Sequence, residues 1–168
     1  LLIVLSGLSG VGKTTIAREL ARRIGAVHLR IDTIEQALRA AGHNVQAEGY
    51  MVAYAVAIDN LRLGRTVVAD SVNPWPLTRA EWRSAADRAG AAAVEVELVC
   101  SDRVEHRRRV EAREADIPGH QLPTWEEVIE RDYRPWDTER LVVDTAHLGV
   151  DGTVRAILEA IAKRGHST

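Results

Sequence analysis

Short apolar runs alternate with longer amphipathic stretches along the chain. The runs fall at 1–6, 27–31, 66–69, 94–99 and 141–143. Each is rich in Val, Leu or Ile with little polar alternation, the pattern of strands buried on both faces. Between them apolar residues recur at helical spacing over 13–24, 33–41, 48–63, 77–89, 102–114, 125–132 and 151–163. Four starts carry the spacing of a capping box: Asp32 with Glu35, Thr78 with Glu81, Asp102 with Glu105, and Thr124 with Glu127. Gly25, Gly42, Gly64, Gly90 and Gly165 mark stops. Strands alternating with helices predict an α/β fold with a parallel sheet and right-handed crossovers. A length of 168 residues predicts one domain with a real core. Segment 115–124 holds two prolines and a glycine and interrupts a helical region. It is predicted to be a loop able to close over a ligand, a lid at about 113–125.

The first strand runs into Gly7-Leu8-Ser9-Gly10-Val11-Gly12-Lys13-Thr14, and Thr15 continues directly into a helical pattern. This is G-x-x-x-x-G-K-[ST], the phosphate-binding loop, in the strand–loop–helix context that its chemistry needs. The glycines let backbone N–H groups from Gly7 to Thr15 turn toward phosphate oxygens, and the helix aims its positive end at the same point. Lys13 is expected to reach the β- and γ-phosphates and Thr14 to ligate Mg²⁺. The chain has two lysines, Lys13 and Lys163, against 20 arginines, and one of the two falls where a flexible ammonium is wanted. The bland alternative is a Gly-rich turn that merely joins strand to helix.

Ligands of open α/β sheets bind beyond the carboxyl ends of the strands, so the residues just after each run matter most. Asp32 follows the second run and can accept the proton of an acceptor hydroxyl, or serve only as an N-cap. Asp70 ends the third run as a Walker B carboxylate does and is a candidate Mg²⁺ ligand, or a buried turn-former. Arg109 and Arg113 share a helix face leading into the lid and can neutralise charge on a transferring phosphoryl group. Arg107 and Arg108 read as a solvated face, with Glu105 and Glu111 to pair. Arg30, Asp32, Asn73 and Trp75 are candidate acceptor-site residues, Arg30 sharing a strand face with Asp32. Tyr50 and Tyr54 lie at i, i+4, Tyr50 as a possible stacking surface and Tyr54 as packing.

Composition narrows the classes. A net charge of −2 gives no hint of a nucleic-acid or membrane surface. No apolar stretch approaches the length of a membrane span and no signal peptide is visible. Cys100, the single cysteine, ends an apolar run and reads as a buried inert thiol; low cysteine use fits a reducing cytoplasm. The six histidines show no ligand spacing, which argues against structural zinc. The chain starts inside a strand without Met, so a residue or more is expected upstream. A GTPase switch needs Asn-Lys-x-Asp after a strand, and the chain has no Asn-Lys pair. Asp87-Arg88-Ala89-Gly90 and Asp116-Ile117-Pro118-Gly119 match Asp-x-x-Gly, but neither directly follows a strand. A nucleic-acid end kinase wants a basic groove with aromatic platforms; the acidic balance argues against it, while a polynucleotide kinase acting on a short oligonucleotide end stays open. A toxin-like kinase of a nucleotide sugar and a non-catalytic ATP-binding module stay open.

With these residues in place, the chain resembles the small P-loop kinases grouped with gluconate kinase, shikimate kinase, chloramphenicol phosphotransferase, zeta toxin and the kinase domain of polynucleotide kinase. More closely it resembles the bacterial "predicted kinase" ATP-binding proteins of the AAA_33 type, over nearly its whole length. In that group a strand ending in an Asp that serves as base matches Asp32. An Asp-Ala-Thr-Asn-like stretch matches Asp70-Ser71-Val72-Asn73, and R-x-x-x-R after the fourth strand matches Arg109 and Arg113. The lid Asp-Ile-Pro-Gly and the segment Arg131-Asp132-Tyr133-Arg134-Pro135-Trp136 look distinctive of a subfamily. The resemblance implies one P-loop kinase domain over 1–168, a three-layer P-loop NTPase fold, and sheet order 2-3-1-4-5. It also implies ATP- and Mg²⁺-dependent transfer to a hydroxyl of a small-molecule acceptor, by a monomer or homodimer.

Overall fold

The first strand, β1 (Leu2–Ser6), is buried along its whole length, as its unbroken apolar run requires. It lies at the centre of a five-stranded sheet of order β2-β3-β1-β4-β5, where β2 is Val27–Arg30, β3 Val67–Asp70, β4 Ala93–Val99 and β5 Leu141–Asp144. Every pairing is parallel, with Leu2 opposite Val67 on one side and Ala93 on the other. This is the P-loop NTPase fold, in the order that the resemblance implies. The computed structural model describes residues 1–165. Among them no helix is long and apolar enough to cross a membrane.

Alternate residues of β1 feed two cores, because successive side chains leave a strand on opposite faces. Ile3 and Leu5 pack with α1 (Lys13–Ile24) and α7 (Val150–Gly165), through Ile16, Leu20, Val154 and Ile157. Leu2 and Val4 pack with α3 (Glu48–Arg62) and α4 (Pro76–Arg88), through Ala53, Ala57, Leu61 and Trp82. A third, small cluster joins α5 (Arg103–Glu111) to α6 (Trp125–Ile129) through Val110, Trp125 and Val128, with Leu8 of the phosphate loop against it. The sheet thus carries the loop at its middle, and the short α5–α6 pair supports the loop from outside.

Several boundaries differ from the sequence expectation, each for a local reason. The helix α2 (Ile31–Ala40) starts directly after β2 with Arg30 at its cap position, so Asp32 sits in the first turn and caps nothing. The helix α4 starts at Pro76, a residue suited to a first helical position; Trp75 is its cap and the Thr78 hydroxyl donates back to the Trp75 carbonyl. Asp102 does cap α5, accepting from Val104 and Glu105 N–H, and Thr124 with Glu127 forms a complete capping box on α6. The helix α5 stops at Glu111 and α6 at Ile129, since the residues beyond them join irregular segments. The helix α7 runs to Gly165, the last described residue, so no stop is seen there. Cys100 is partly exposed rather than buried.

Candidate active site

The loop between β1 and α1 is shaped by close backbone approach. Gly7 has φ 134°, and a Cβ there would lie 2.2 Å from the Leu98 carbonyl oxygen. Gly10 has φ 85°, and a Cβ there would lie 2.5 Å from Val110 Cγ2. Only glycine meets both demands. The crest is held from outside by His106, whose Nε2 donates to the Ser9 carbonyl at 2.7 Å while its ring stacks edge-on against Trp125. Lys13 Nζ donates to the Leu8 carbonyl at 2.8 Å, so the ammonium spans the mouth of the loop. Burial lowers the Lys13 pKa to about 8; Asp70 and Asp32 oppose that fall, and Arg113 and Arg131 add to it.

Asp70, at the end of β3, is almost wholly buried. Burial alone would raise its pKa, but hydrogen bonds from His28 and Thr14 and the charge of Lys13 hold it below the usual carboxylate range. The His28 contact is long, at 3.4 Å. A buried, ionised carboxylate beside a threonine hydroxyl at the foot of a phosphate loop is a donor pair suited to Mg²⁺, which takes one or two protein oxygens and completes its shell elsewhere. No three His, Cys, Asp or Glu side chains converge among the described residues, so the rest of that shell would be phosphate oxygens and water.

These groups line one cavity of about 970 Å³. Lys13, Thr14 and Asp70 form its floor, and Asp32, Glu35 and Tyr50 one wall. Arg109, Arg113 and Arg131 line it as well, as do residues 119–123 of the segment expected to form a lid. Arg109 is held in place by Glu105 at 2.7 Å and by the Thr145 hydroxyl and carbonyl, both at 3.1 Å. The Asp32 carboxylate is partly exposed, with Arg30 at 3.6 Å and His120 at 3.9 Å, both beyond hydrogen-bond reach.

Residues 2–131 match the model of the AAA_33 family, an AAA domain. The chain belongs to the AAA_33 family. No curated protein matches it. Among solved structures it is similar to the APS kinase of Mycobacterium tuberculosis in complex with AMPPNP and APS, at 20% identity and TM-score 0.71 over 96% of each chain. It is also similar to a gluconokinase from Sinorhizobium meliloti 1021, at 21% identity and TM-score 0.67 over 98% of this chain and 93% of that one. A sugar kinase from Janibacter sp. HTCC2649 is 18% identical at TM-score 0.66, over 94% and 92% of the two chains. At these identities the shared property is the fold, that of small P-loop kinases.

The cavity of this AAA_33 protein collects most of the sequence-predicted residues and leaves out six: Gly7, Leu8 and Val11 of the loop, whose backbones shape it, and Arg30, Asn73 and Trp75. Asn73 is fully buried with φ 49°; its Nδ2 donates to Ser6 Oγ and its Oδ1 accepts from Trp82 Nε1. Both ends of the amide are spent inside the fold, so Asn73 shapes the β3–α4 turn and does not face the cavity. Trp75 points away, with its indole N–H donating to Asp132 at 3.2 Å. Arg30 is buried beneath the site and bound to Asp116 of the lid. Tyr50 does line the cavity, and its hydroxyl accepts the Asn73 N–H; burial pushes its pKa up to about 12. Tyr54 packs edge-on against Trp82, as expected.

The sequence alone does not single out Glu35, Gln36, Arg39, His120, Glu127 and Arg131, all six of which line the cavity; the first three fall in the segment 30–60 expected to supply pocket side chains, and His120 in the expected lid. For Arg131 a signal existed in the segment 131–136. That segment is anchored by Arg79, a fully buried arginine that stacks on Trp136 and Tyr133 and donates to the carbonyls of Asn73, Pro74, Arg134 and Pro135.

Proposed function

We propose that this protein transfers the γ-phosphoryl group of ATP, with Mg²⁺, to a hydroxyl of a polar small molecule. The observation that carries this reading is the meeting of Lys13, Thr14, Asp70 and Asp32 in one lidded cavity of about 970 Å³. That volume suits a nucleotide phosphate chain together with an acceptor.

Lys13 clamps the β- and γ-phosphates at the loop. Thr14 and Asp70 would hold Mg²⁺, which supplies neutralisation of the phosphate oxygens when bound. Asp32 accepts the proton of the acceptor hydroxyl. Among the described residues its carboxylate receives no hydrogen bond within 3.5 Å and is therefore available for that role. The acceptor oxygen then bonds to the γ-phosphorus as the bond to the β–γ bridging oxygen breaks, and ADP leaves. Arg113, with no carboxylate within salt-bridge distance among the described residues, stands across the cavity to meet charge on the transferring group. Glu35, Gln36 and Arg39 give the acceptor end polar partners suited to a hydroxylated ligand.

The test is ADP release from ATP and Mg²⁺ across sugars, sugar acids, nucleosides, aminoglycosides and short oligonucleotide 5′ ends, with Asp32→Asn alongside. Acceptor-dependent turnover is expected, falling about 10³-fold in Asp32→Asn with ATP binding kept. ATP binding with no acceptor-dependent turnover would favour a binding module. Turnover unchanged in Asp32→Asn would remove Asp32 as the base.

A further inference from the structure

The lid is tied to the sheet through one carboxylate. Asp116 accepts from both terminal nitrogens of Arg30, at 2.8 and 3.0 Å, and from Arg18 on α1 at 2.6 Å. Arg30 ends β2 with its side chain 4% exposed, and its Nε is buried without a hydrogen-bond partner. The same guanidinium lies 3.6 Å from Oδ2 of Asp32. One buried cation therefore feels three carboxylates, Asp116, Asp32 and, farther off, Asp70; two lie within 4.0 Å, and its fork is committed to the one on the lid.

A guanidinium this deep in the fold is strongly disfavoured without a counter-charge. When the lid lifts, Asp116 leaves with it. Asp32 is then the nearest carboxylate to the vacated fork, and a small side-chain rotation closes 3.6 Å to a hydrogen-bonded pair. An Asp32 gripped in this way has its oxygens occupied and its basicity lowered. Other charged groups around Asp32 include His120 from the lid at 3.9 Å, Lys13 of α1, and Glu35, Arg39, Arg113 and Arg131 of the same cavity. His120 also departs with the lid.

We propose that Asp116 is a positioning residue: on lid closure it captures Arg30 and frees Asp32 for the acceptor hydroxyl, and on lid opening Arg30 transfers to Asp32 and silences it. The inference rests on Asp32 as the base. Its consequence is that an open lid leaves no free base to activate water, so hydrolysis of ATP is suppressed until the cavity is covered. The Asp-Ile-Pro-Gly turn of the lid thereby has a chemical role beyond covering the site.

The test is nitrogen NMR of the Arg30 guanidinium in the full chain, joined to a ¹³C titration of the Asp32 carboxyl. In the wild type the guanidinium is restrained by Asp116. In Asp116→Asn it is expected to stay restrained, now by Asp32, and the Asp32 carboxyl pKa is expected to fall by about one unit or more. In Asp116→Asn combined with Asp32→Asn the restraint is lost. Asp116→Glu, which keeps the charge, restores the wild-type titration. A guanidinium already free in Asp116→Asn, or one still restrained in the double variant, would overturn the transfer of Arg30. So would an Asp32 titration that does not move. These readouts need no acceptor. Loss of the base assignment would instead appear as unchanged turnover in Asp32→Asn, so the two failures are distinguishable.

Discussion

Eight consecutive residues build the phosphate-loop end of the cavity, whereas the covered end is assembled from segments far apart in sequence. At the loop, Gly7, Gly10, Gly12 and Lys13 follow a wholly buried strand; Gly7 and Gly10 are fixed by close approach to the Leu98 carbonyl and the Val110 side chain of α5, and Gly12 by its φ of 94°. At the covered end, Arg30 meets Asp116 across 86 positions and Arg18 meets it across 98. Residue 119 of the lid would press a Cβ only on the tip of Gln36. One end is rigid by chain geometry and the other by side-chain charge. The first can bind a phosphate chain as it stands. Under the lid proposal the second opens and closes, with Asp32 taking over the Arg30 fork that Asp116 leaves.

The largest expected effect falls on the rigid end. Lys13→Ala removes the one ammonium over the loop and should weaken ATP binding by about 4 kcal/mol, abolishing the thermal shift produced by ATP and Mg²⁺. An unchanged shift would mean that the loop does not hold phosphate. Next comes a pair of glycine substitutions. Gly7→Ala meets a backbone carbonyl at 2.2 Å with φ 134° and should cost about 3 kcal/mol in chemical denaturation. Gly119→Ala meets the end of a flexible side chain and should cost about 1 kcal/mol, mostly for its φ of 76°. Equal costs would erase the distinction between the two ends.

The same contrast decides what was legible in the sequence. The strands were readable to within a residue or so, because β1, β3 and most of β4 are buried on both faces and carry no alternation to mislead. Glu95 and Glu97 are the exception; they are buried yet satisfied by Arg83, Tyr133 and Arg140 from elsewhere. Sheet order followed from the resemblance, since strand pairing is a non-local property. At the site, the loop, Asp70 and Asp32 were readable from their place after strands. Asn73 follows the same rule and misleads, because asparagine is also, among residues with a side chain, one of those best able to adopt φ 49° in a buried turn. Arg30 misleads for another reason. A strand-end arginine two positions from Asp32 looks like a ligand-binding group until its lid partner is known, and nothing local announces Asp116.

A pH dependence sharpens the picture of the rigid end. With its folded pKa lowered to about 8, Lys13 is charged below that value at the expense of the free protein. The unfolded chain holds more protons between about 8 and the ordinary lysine value, so the stability of the free protein gains from Lys13 as pH rises through that window. Bound phosphate favours the charged form. ATP affinity should therefore be flat below pH 7 and fall by up to about tenfold per pH unit above 8, or about 1.4 kcal/mol per unit. Calorimetry in buffers of different ionisation enthalpy should show proton uptake on binding near pH 8. Affinity that stays level from pH 7 to 9.5 would place the Lys13 charge outside the binding linkage.

The smallest effect tests how separate the two ends are. Thr124 and Glu127 close a capping box where the lid enters α6, and the next residue, Trp125, stacks on the His106 that holds the Ser9 carbonyl. Thr124→Ala should cost about 1 kcal/mol. If the lid is an independent element, hydrogen exchange should quicken over 113–124 and remain unchanged over 7–14, because Val110 and His106 still pin the loop crest from α5. Equal quickening in both segments would make Trp125 a mechanical link. Opening the lid would then also loosen the phosphate loop, and the division between a backbone-built end and a charge-built end would hold for their origin in the sequence but not for their motion.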